Sequence, residues 1–145
     1  MLSVVLYEPE IPWNTGNIGR TCVAAGAELH LVGPLGFKLE GKELRRAGLD
    51  YWPKLKLHRH PDWESFSRGR APLFFFSAHA ARPFWEADLR EGYAVFGRES
   101  TGLPRELMDP ARTFAIPMEP GVRSLNLSTA AAIVLYESVK QLRNS

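Results

Sequence analysis

YAVFGRESTGLP (residues 93–104) joins a short, wholly apolar run to a polar loop that contains two glycines and a proline. The apolar run does not alternate with polar residues, which is typical of a strand covered on both faces. Runs rich in β-branched, aliphatic and aromatic residues recur at SVVLY (3–7), ELHLV (28–32), APLFFF (71–76) and TFAI (113–116). These runs predict five strands of a mainly parallel sheet.

Helix-compatible segments separate the strand-like runs. These segments cover residues 14–27, 42–48, 62–69, 104–109 and 128–143. The first begins at Asn14 as a capping residue, the fourth has Pro104 at its first position, and the last is capped by Ser128 or Asn126. Alternating strands and helices predict an α/β domain with helices on both faces of the sheet. Because the sequence shows no repeat or linker, we expect a single domain over residues 1–145.

The composition is that of an ordinary soluble globular protein, with 45% apolar and 23% charged residues in a chain of 145. No apolar stretch has membrane-spanning length, and the N-terminus lacks the basic start and cleavage site of a signal peptide. We therefore expect a cytoplasmic protein without a membrane partner. The single cysteine, Cys22, excludes an intrachain disulfide and a cysteine zinc cluster, and we expect it to be a small buried hydrophobe.

The positive charge is concentrated in one region. Nine of the 18 basic residues lie between Lys38 and Arg70, a region that also contains Tyr51, Trp52 and Trp63. Cations that contact phosphates and aromatic rings that stack on bases favour binding of single-stranded RNA. A solvated helix followed by a loop explains the same composition, and composition alone favours this simpler alternative.

Several common chemistries are excluded or disfavoured by missing motifs. The first strand is not followed by GxGxxG, and neither a P-loop nor GxSxG occurs anywhere in the chain. These absences argue against an oxidoreductase with a standard dinucleotide fold, a P-loop enzyme and a serine hydrolase. Of the four histidines only His58 and His60 are close together, without a nearby pair of carboxylates, so we expect no metal site.

Polar, glycine-rich loops follow the predicted strands, at the edge of the sheet where α/β domains usually bind ligands. PWNTGNIGR (12–20) combines two asparagines, two glycines and Arg20 at a helix start. Gly16 and Gly19 allow close backbone approach, and the helix dipole there favours an anion. In FGRESTGLP (96–104), Gly97 leaves room for a ligand, and Glu99 offers a polar contact.

IPMEPGVRSLNLST (116–129) contains more polar side chains than a single helix cap requires. Its two prolines and one glycine predict an irregular backbone with exposed main-chain groups. This combination fits recognition of an adenosine by backbone hydrogen bonds, although composition does not identify the ligand.

In order and spacing, four segments resemble the motifs of the SPOUT class of RNA methyltransferases. These segments are LYEPEIPWNTGNIGR (6–20), RRAGLDYW (45–52), FGRESTGLP (96–104) and RSLNLSTAAAIVLYE (123–137). The resemblance covers almost the whole chain and is closest to the small single-domain, TrmL-type branch, which methylates the ribose 2′-hydroxyl of the tRNA wobble nucleotide. It implies a parallel sheet with a deep C-terminal trefoil knot, S-adenosylmethionine as cofactor without a metal, the anticodon stem-loop of tRNA as partner, and a homodimer with the site at its interface.

The resemblance also implies roles for individual residues. The expected cofactor contacts are Phe76, Gly97, Ile116 and Ser124. Arg20, reaching over from the other subunit, would orient the ribose and a phosphate, since a guanidinium is a poor base. Asn14 would position Arg20 or the substrate. The residues expected to support the motif loops or bind RNA are Glu99, Asn126, Arg45 and Arg46.

The sequence departs from the usual pattern of this branch at four positions. Arg98 and Thr101 stand where a proline and an arginine are common, and His79 stands where a lysine is frequent. Arg98 is therefore a candidate phosphate contact, and Trp13, in place of a small residue or proline, offers a stacking face. Two other functions stay open: 2′-O-methylation of another RNA, and RNA binding without catalysis on the same scaffold.

Overall fold

A six-stranded parallel sheet forms the centre of the fold in the computed structural model, which describes residues 1–40, 42, 46 and 51–145. The strands are β1 (Leu2–Tyr7), β2 (Leu29–Val32), β3 (Leu57–His60), β4 (Leu73–Phe76), β5 (Gly92–Phe96) and β6 (Thr113–Phe114). They lie in the order β3-β2-β1-β5-β4-β6, and every neighbouring pair is parallel. The predicted parallel α/β architecture is confirmed.

Helices cover both faces of this sheet. Helices α1 (Pro12–Ala25) and α3 (Leu127–Arg143) pack against each other and against one face, while the short helix α2 (Trp63–Ser67) covers the other. Successive strand residues point to opposite faces, so Val4 and Leu6 enter the larger core with α1 and α3, and Val5 enters the smaller core around Phe66. Single-turn 3₁₀ segments occur at Trp52–Lys54, Phe84–Glu86, Arg105–Leu107 and Pro110–Arg112.

The edge strand β3 is not predicted by the sequence, which favours a loop for LHRH (57–60). This strand pairs with β2 in parallel, and His58 lies opposite His30. An edge strand covers only part of its surface and commonly carries charged side chains that discourage further pairing. Because its residues are mostly polar, β3 lacks the hydrophobic pattern of a strand, and its pairing with β2 specifies the strand.

The helix boundaries correct two further predictions and decide between the two alternatives of a third. Helix α1 begins at Pro12 and has Ile11 as N-cap, so Asn14 lies inside the helix and does not cap it. Pro104 precedes a 3₁₀ turn, not a helix. Of the two caps considered for α3, the structure has Asn126. Most of the predicted helix 42–48 lies outside the described residues.

The fold bears on two further expectations, the burial of Cys22 and the absence of a membrane-spanning segment. Cys22 is completely buried in the larger core, and burial raises the pKa of its thiol to about 12, which confirms it as a small core residue. Among the described helices, none combines the length and apolar character needed to span a bilayer.

Candidate cofactor and RNA site

The carboxyl ends of three adjacent strands carry three of the predicted cofactor residues. Phe76 ends β4, Gly97 follows the end of β5, and Ile116 lies two residues beyond β6. Because β4 lies between β5 and β6, these positions share one edge of the sheet. The ring of Phe76 stacks on that of Phe96 at a centroid distance of 5.0 Å, and both rings are buried in the larger core.

Glu99 caps helix α1 from a distant part of the chain. Its carboxylate accepts hydrogen bonds from the backbone N–H of Glu10 (2.8 Å) and of Ile11 (3.1 Å). The N-cap residue Ile11 has no side-chain acceptor of its own, and the first N–H groups of a helix need one. The carboxylate also lies where the helix dipole favours a negative charge. The loop after β5 therefore provides the cap that α1 lacks locally.

Asn14 connects this cap to the start of helix α3. Its side-chain N–H donates to Glu99 (3.2 Å), and its side-chain oxygen accepts from the Asn126 amide (3.2 Å). Asn126 in turn accepts from the backbone N–H of Ser128 (2.9 Å) and caps α3. Asn14 is only 3% exposed. Its amide thus joins the three polar segments that the sequence singles out.

Two further contacts hold the loop before α1 against the loop after β5. The Glu10 carboxylate accepts hydrogen bonds from the backbone N–H (2.9 Å) and the hydroxyl (2.8 Å) of Ser100, and these bonds lower the pKa of Glu10. Glu8 forms an ion pair with Arg98 at 2.7 Å, which raises the pKa of the guanidinium. The sequence does not single out Glu8 or Glu10; their position directly after β1 was the available signal.

Arg98 lies in a different environment from the phosphate contact that the sequence suggests. Its guanidinium is bonded to Glu8 and covers the ring of Tyr7 at 5.0 Å from the centroid. These contacts give Arg98 a structural partner within the described chain. Thr101, the other departure in this loop, is exposed and lies 3.4 Å from the Arg98 side chain.

Gly97 is required by its own loop. A Cβ at this position would lie 2.2 Å from the carbonyl carbon of Gly102 and from the backbone nitrogen of Leu103. The loop is this tight because Arg98 and Gly102 exchange two backbone hydrogen bonds. The space beside Gly97 is therefore filled by protein backbone and is not available to a ligand. Gly97 can contact a ligand only through its main-chain groups.

The loop between β6 and α3 has main-chain groups available for a ligand. Within the described residues 116–125, one backbone hydrogen bond occurs, from the N–H of Val122 to the carbonyl of Glu119. Gly121 adopts a positive φ of 91°. Ser124 is exposed on this loop, and Ile116 is half-buried against the larger core. Main-chain groups that have no hydrogen-bond partner among the described residues fit the adenosine part of S-adenosylmethionine.

Arg20 lies on the exposed surface of α1, on the same side of the helix as Trp13 and Asn17. Trp13 is 55% exposed, so its ring is accessible for stacking. Asn14 faces the interior instead, and its amide is bonded to Glu99 and Asn126 and not to Arg20. The face of Gly19 is occupied by the side chains of Trp52 and Leu55, so this glycine admits protein rather than a ligand.

The basic region divides into exposed cations and packed aromatics. Its exposed cations among the described residues include Lys38, Lys42, Arg46, Lys54, Lys56 and Arg59, whereas Arg45 lies outside the described residues. Trp63 packs against Phe66 and Tyr7 in the smaller core, which is a structural role instead of the expected stacking role. Trp13 is therefore a better candidate than Trp63 for stacking on a base.

A histidine cluster lies on the other face of the sheet, between β2 and β3. The pairing of these strands brings Glu28 to 2.6 Å from His58, a carboxylate partner that sequence proximity did not reveal. The ring of His30 lies 2.9 Å from His60, and burial together with these neighbours lowers the pKa of His30 to about 4. The rings of His30 and His58 stack at 16°, so their in-plane lone pairs do not converge on one ion.

Hydrogen bonds join three polar loops at the carboxyl ends of the strands of this parallel α/β domain, and solved RNA methyltransferases have the same fold. The chain belongs to the SpoU rRNA Methylase family, whose model matches residues 1–136. The predicted family is confirmed.

Relatives of known name share nearly the full length of this chain. A tRNA (cytidine(34)-2′-O)-methyltransferase from Saccharophagus degradans is 45% identical, with 98% of this chain and 96% of the relative covered. A solved structure described as "Structural insights into the 2-OH methylation of C/U34 on tRNA" is 48% identical with a TM-score of 0.93, covering 99% of this chain and 91% of that one.

A more distant structure was solved with a ligand. It is the SpoU methyltransferase AviRb from Streptomyces viridochromogenes in complex with the cofactor AdoMet. It is 26% identical with a TM-score of 0.85, and the match covers all of this chain and 62% of that one.

Proposed function

We propose that this protein transfers a methyl group from S-adenosylmethionine to the ribose 2′-hydroxyl of the wobble nucleotide, cytidine or uridine 34, of tRNA. The observation that carries the proposal is the hydrogen-bonded connection from Glu99 through Asn14 to Asn126. It assembles three distant segments into one site in a chain of this family. Full-length relatives with this activity in their names support the choice of substrate.

The cofactor would lie against the ends of β4, β5 and β6. Phe76, Gly97 and Ile116 supply main-chain groups, and the exposed Ser124 adds a hydroxyl. Bound there, S-adenosylmethionine would supply an electrophilic methyl group on a sulfonium. Glu99, Asn14 and Asn126 would not contact the cofactor themselves. Their hydrogen bonds hold the loops that present these groups.

Arg20 is the proposed catalytic residue. A guanidinium is a poor general base, so Arg20 binds and orients the ribose and a neighbouring phosphate and does not accept the proton of the 2′-hydroxyl. Holding that oxygen in line with the transferred methyl group lowers the entropic cost of the reaction. The phosphate is the proposed partner in removing the proton. The exposed position of Arg20 on α1 supports this contact with RNA.

We also propose a homodimer in which Arg20 of one subunit serves the cofactor site of the other. Two large apolar side chains support an interface near α1 and α3: Trp13 is 55% exposed and Tyr136 is 48% exposed. Covering such side chains with a second copy of the chain would remove apolar surface from water. Sedimentation across a range of protein concentrations tests this assembly.

The anticodon stem-loop is the proposed RNA partner, and the cytoplasm the proposed place of action. The exposed cations between Lys38 and Arg59 would contact phosphates, and Trp13 would stack on an unpaired base. Binding through phosphates should weaken as salt rises.

The proposed chain topology is a single domain with a C-terminal trefoil knot. The sheet order supports it, because β6 lies outside β4 while α3 returns across β5 and β1 to pack on α1. A crystal structure with continuous density from β4 to α3 tests whether the last helix passes through an earlier loop.

A methylation assay with nucleoside mass spectrometry tests the function. We expect a 2′-O-methylated nucleoside at position 34 of a tRNA transcript, and none when position 34 carries a 2′-deoxyribose. Methylation at another position would favour a different RNA target. Absence of S-adenosylmethionine binding by calorimetry would favour an RNA-binding module without catalysis.

Arg20→Ala tests the assignment of the catalytic residue. We expect methyl transfer to be lost while the affinity for S-adenosylmethionine is nearly unchanged. Arg90→Ala is the matched control, because Arg90 is exposed, pairs with Asp88 and lies before β5 at the opposite edge of the sheet. Equal loss of cofactor binding and transfer in Arg20→Ala would contradict the assignment.

A further inference from the structure

Residues 51–55 are held against helix α1 at a glycine. A Cβ on Gly19 would lie 3.0 Å from Leu55 Cδ2 and 3.3 Å from Trp52 Cζ3, so the missing side chain lets both residues approach the helix. Leu55 also packs against the larger core. Within the segment, the N–H of Lys54 donates to the carbonyl of Tyr51 (3.0 Å), which makes a 3₁₀ turn.

This packing places the ring of Tyr51 under the guanidinium of Arg20. The Arg20 Cζ atom lies 4.7 Å from the ring centroid, within the distance at which a cation is attracted to an aromatic face. Tyr51 is half-buried, whereas Arg20 is exposed. The guanidinium therefore has the Tyr51 ring on one side, and the exposed position of Arg20 leaves it accessible to solvent.

An aromatic ring and a carboxylate differ in how many N–H donors of a neighbouring guanidinium they leave available. A carboxylate would occupy two N–H groups of the guanidinium and offset its charge. A ring attracts the cation without accepting N–H···O hydrogen bonds, so the five N–H donors of the guanidinium are left for oxygen atoms of a ribose and a phosphate. Among the residues that the structure describes, Arg98 provides the contrast, because it is bonded to Glu8 as well as lying over the ring of Tyr7.

We propose that Tyr51 is a positioning residue for Arg20, and that Gly19 is the position that allows it. The ring restricts the guanidinium to one plane, so that its N–H groups are oriented before the RNA binds. This inference rests on the proposed function, in which Arg20 orients the ribose of the target nucleotide. It assigns a role to the tyrosine in RRAGLDYW that the cofactor loops do not explain.

The test compares Tyr51→Leu with Tyr51→Phe under single-turnover and steady-state conditions. We expect Tyr51→Leu to lower kcat about 5- to 30-fold, with KM for S-adenosylmethionine unchanged, and Tyr51→Phe to stay within about twofold of the original enzyme because the ring is retained. Equal losses in both variants would overturn the inference, since the hydroxyl and not the ring would then matter. An unchanged kcat in Tyr51→Leu would also overturn it.

A spectroscopic measurement keeps the inference testable without activity. The Nε–H resonance of Arg20, assigned by its loss in Arg20→Lys, should show a ring-current shift that persists in Tyr51→Phe and disappears in Tyr51→Leu. Tyr93→Leu is the matched structural control, because Tyr93 packs in the smaller core on the other face of the sheet. It should lower Tm while leaving both kcat and the Arg20 resonance unchanged.

The two proposals fail in different ways. If the unmodified protein does not methylate tRNA, the proposed function fails, whereas the Arg20 resonance still reports whether Tyr51 holds the guanidinium. If the protein is active and Arg20→Ala is inactive, but Tyr51→Leu keeps full activity, only the role of Tyr51 is wrong.

Discussion

Replacing Glu99 by glutamine tests whether the loop after β5 holds the start of α1. The carboxylate accepts three hydrogen bonds, from the N–H groups of Glu10 and Ile11 and from the Asn14 amide. Glutamine has nearly the same shape, but one of its ends is an NH₂ group, which must face a donor. At least one N–H group at the start of α1 then loses its acceptor, and the negative charge at the helix N-terminus is lost as well.

The expected cost follows from these two losses. An unsatisfied, partly buried donor costs about 1–3 kcal/mol, and the helix dipole contributes about 0.3–1 kcal/mol. We therefore expect Glu99→Gln to lower the free energy of unfolding by about 2–3 kcal/mol. For a domain of this size, that corresponds to a decrease in Tm of about 6–12 °C.

The assay is urea and thermal unfolding at one fixed protein concentration, since a dimer would make stability depend on concentration. Glu64→Gln is the control, because the Glu64 side chain is 84% exposed and its ion pair with Arg68 should contribute under about 0.5 kcal/mol. A double-mutant cycle with Asn14→Ala should show coupling above about 0.5 kcal/mol. A Glu99→Gln variant as stable as Glu64→Gln, or strictly additive effects with Asn14→Ala, would refute the connection.

Three further predictions concern the loop glycine, the buried histidine and the buried cysteine. Gly97→Ala should lower the free energy of unfolding by about 3 kcal/mol or more and abolish calorimetric binding of S-adenosylmethionine, because its Cβ would lie 2.2 Å from backbone atoms. Gly26→Ala is the control: Gly26 has a φ of 81° but open space around it, so this change should lower the free energy of unfolding by only about 1 kcal/mol. In the folded protein His30 has a pKa of about 4, whereas in the unfolded chain it takes up a proton near pH 6.5. Because the unfolded state binds this proton first as the pH falls, the free energy of unfolding should decrease by up to about 3 kcal/mol between pH 6.5 and 4. Urea unfolding of His30→Phe should show most of this slope removed, with a remainder from His60, whose pKa is also lowered; an unchanged slope would contradict this assignment. Cys22 should react with a thiol reagent at pH 8 only after denaturation, because burial raises the pKa of its thiol to about 12, and rapid labelling of the native protein would show that the core opens.

The strands that the sequence predicts correctly are those buried on both faces. Runs such as APLFFF and YAVF contain few polar residues, and a buried parallel strand requires that pattern. The edge strand β3 was missed because only Leu57 of LHRH packs against the larger core, so its hydrophobic pattern is incomplete. Its pairing depends on β2, which local sequence does not report.

The candidate site was predicted as three segments but not as a connected network. Clusters of Asn, Gly, Ser and Arg indicate loops that do more than turn, and the resemblance to a known class of enzyme supplied the ligand. Local reasoning treated Asn14 as a helix cap, whereas the cap is Glu99, 85 residues away along the chain. A capping rule considers neighbours in sequence, and here the acceptor is a neighbour only in the fold.

The sequence by itself determined the parallel α/β class, the polar loops of the candidate site and the buried state of Cys22, because each depends on local hydrophobicity and backbone preference. Only the tertiary structure decided which groups meet: Glu99 with the start of α1, Arg98 with Glu8, and Tyr51 with Arg20. These contacts join elements far apart in the chain. Their geometry depends on the order of strands in the sheet, which no local pattern encodes.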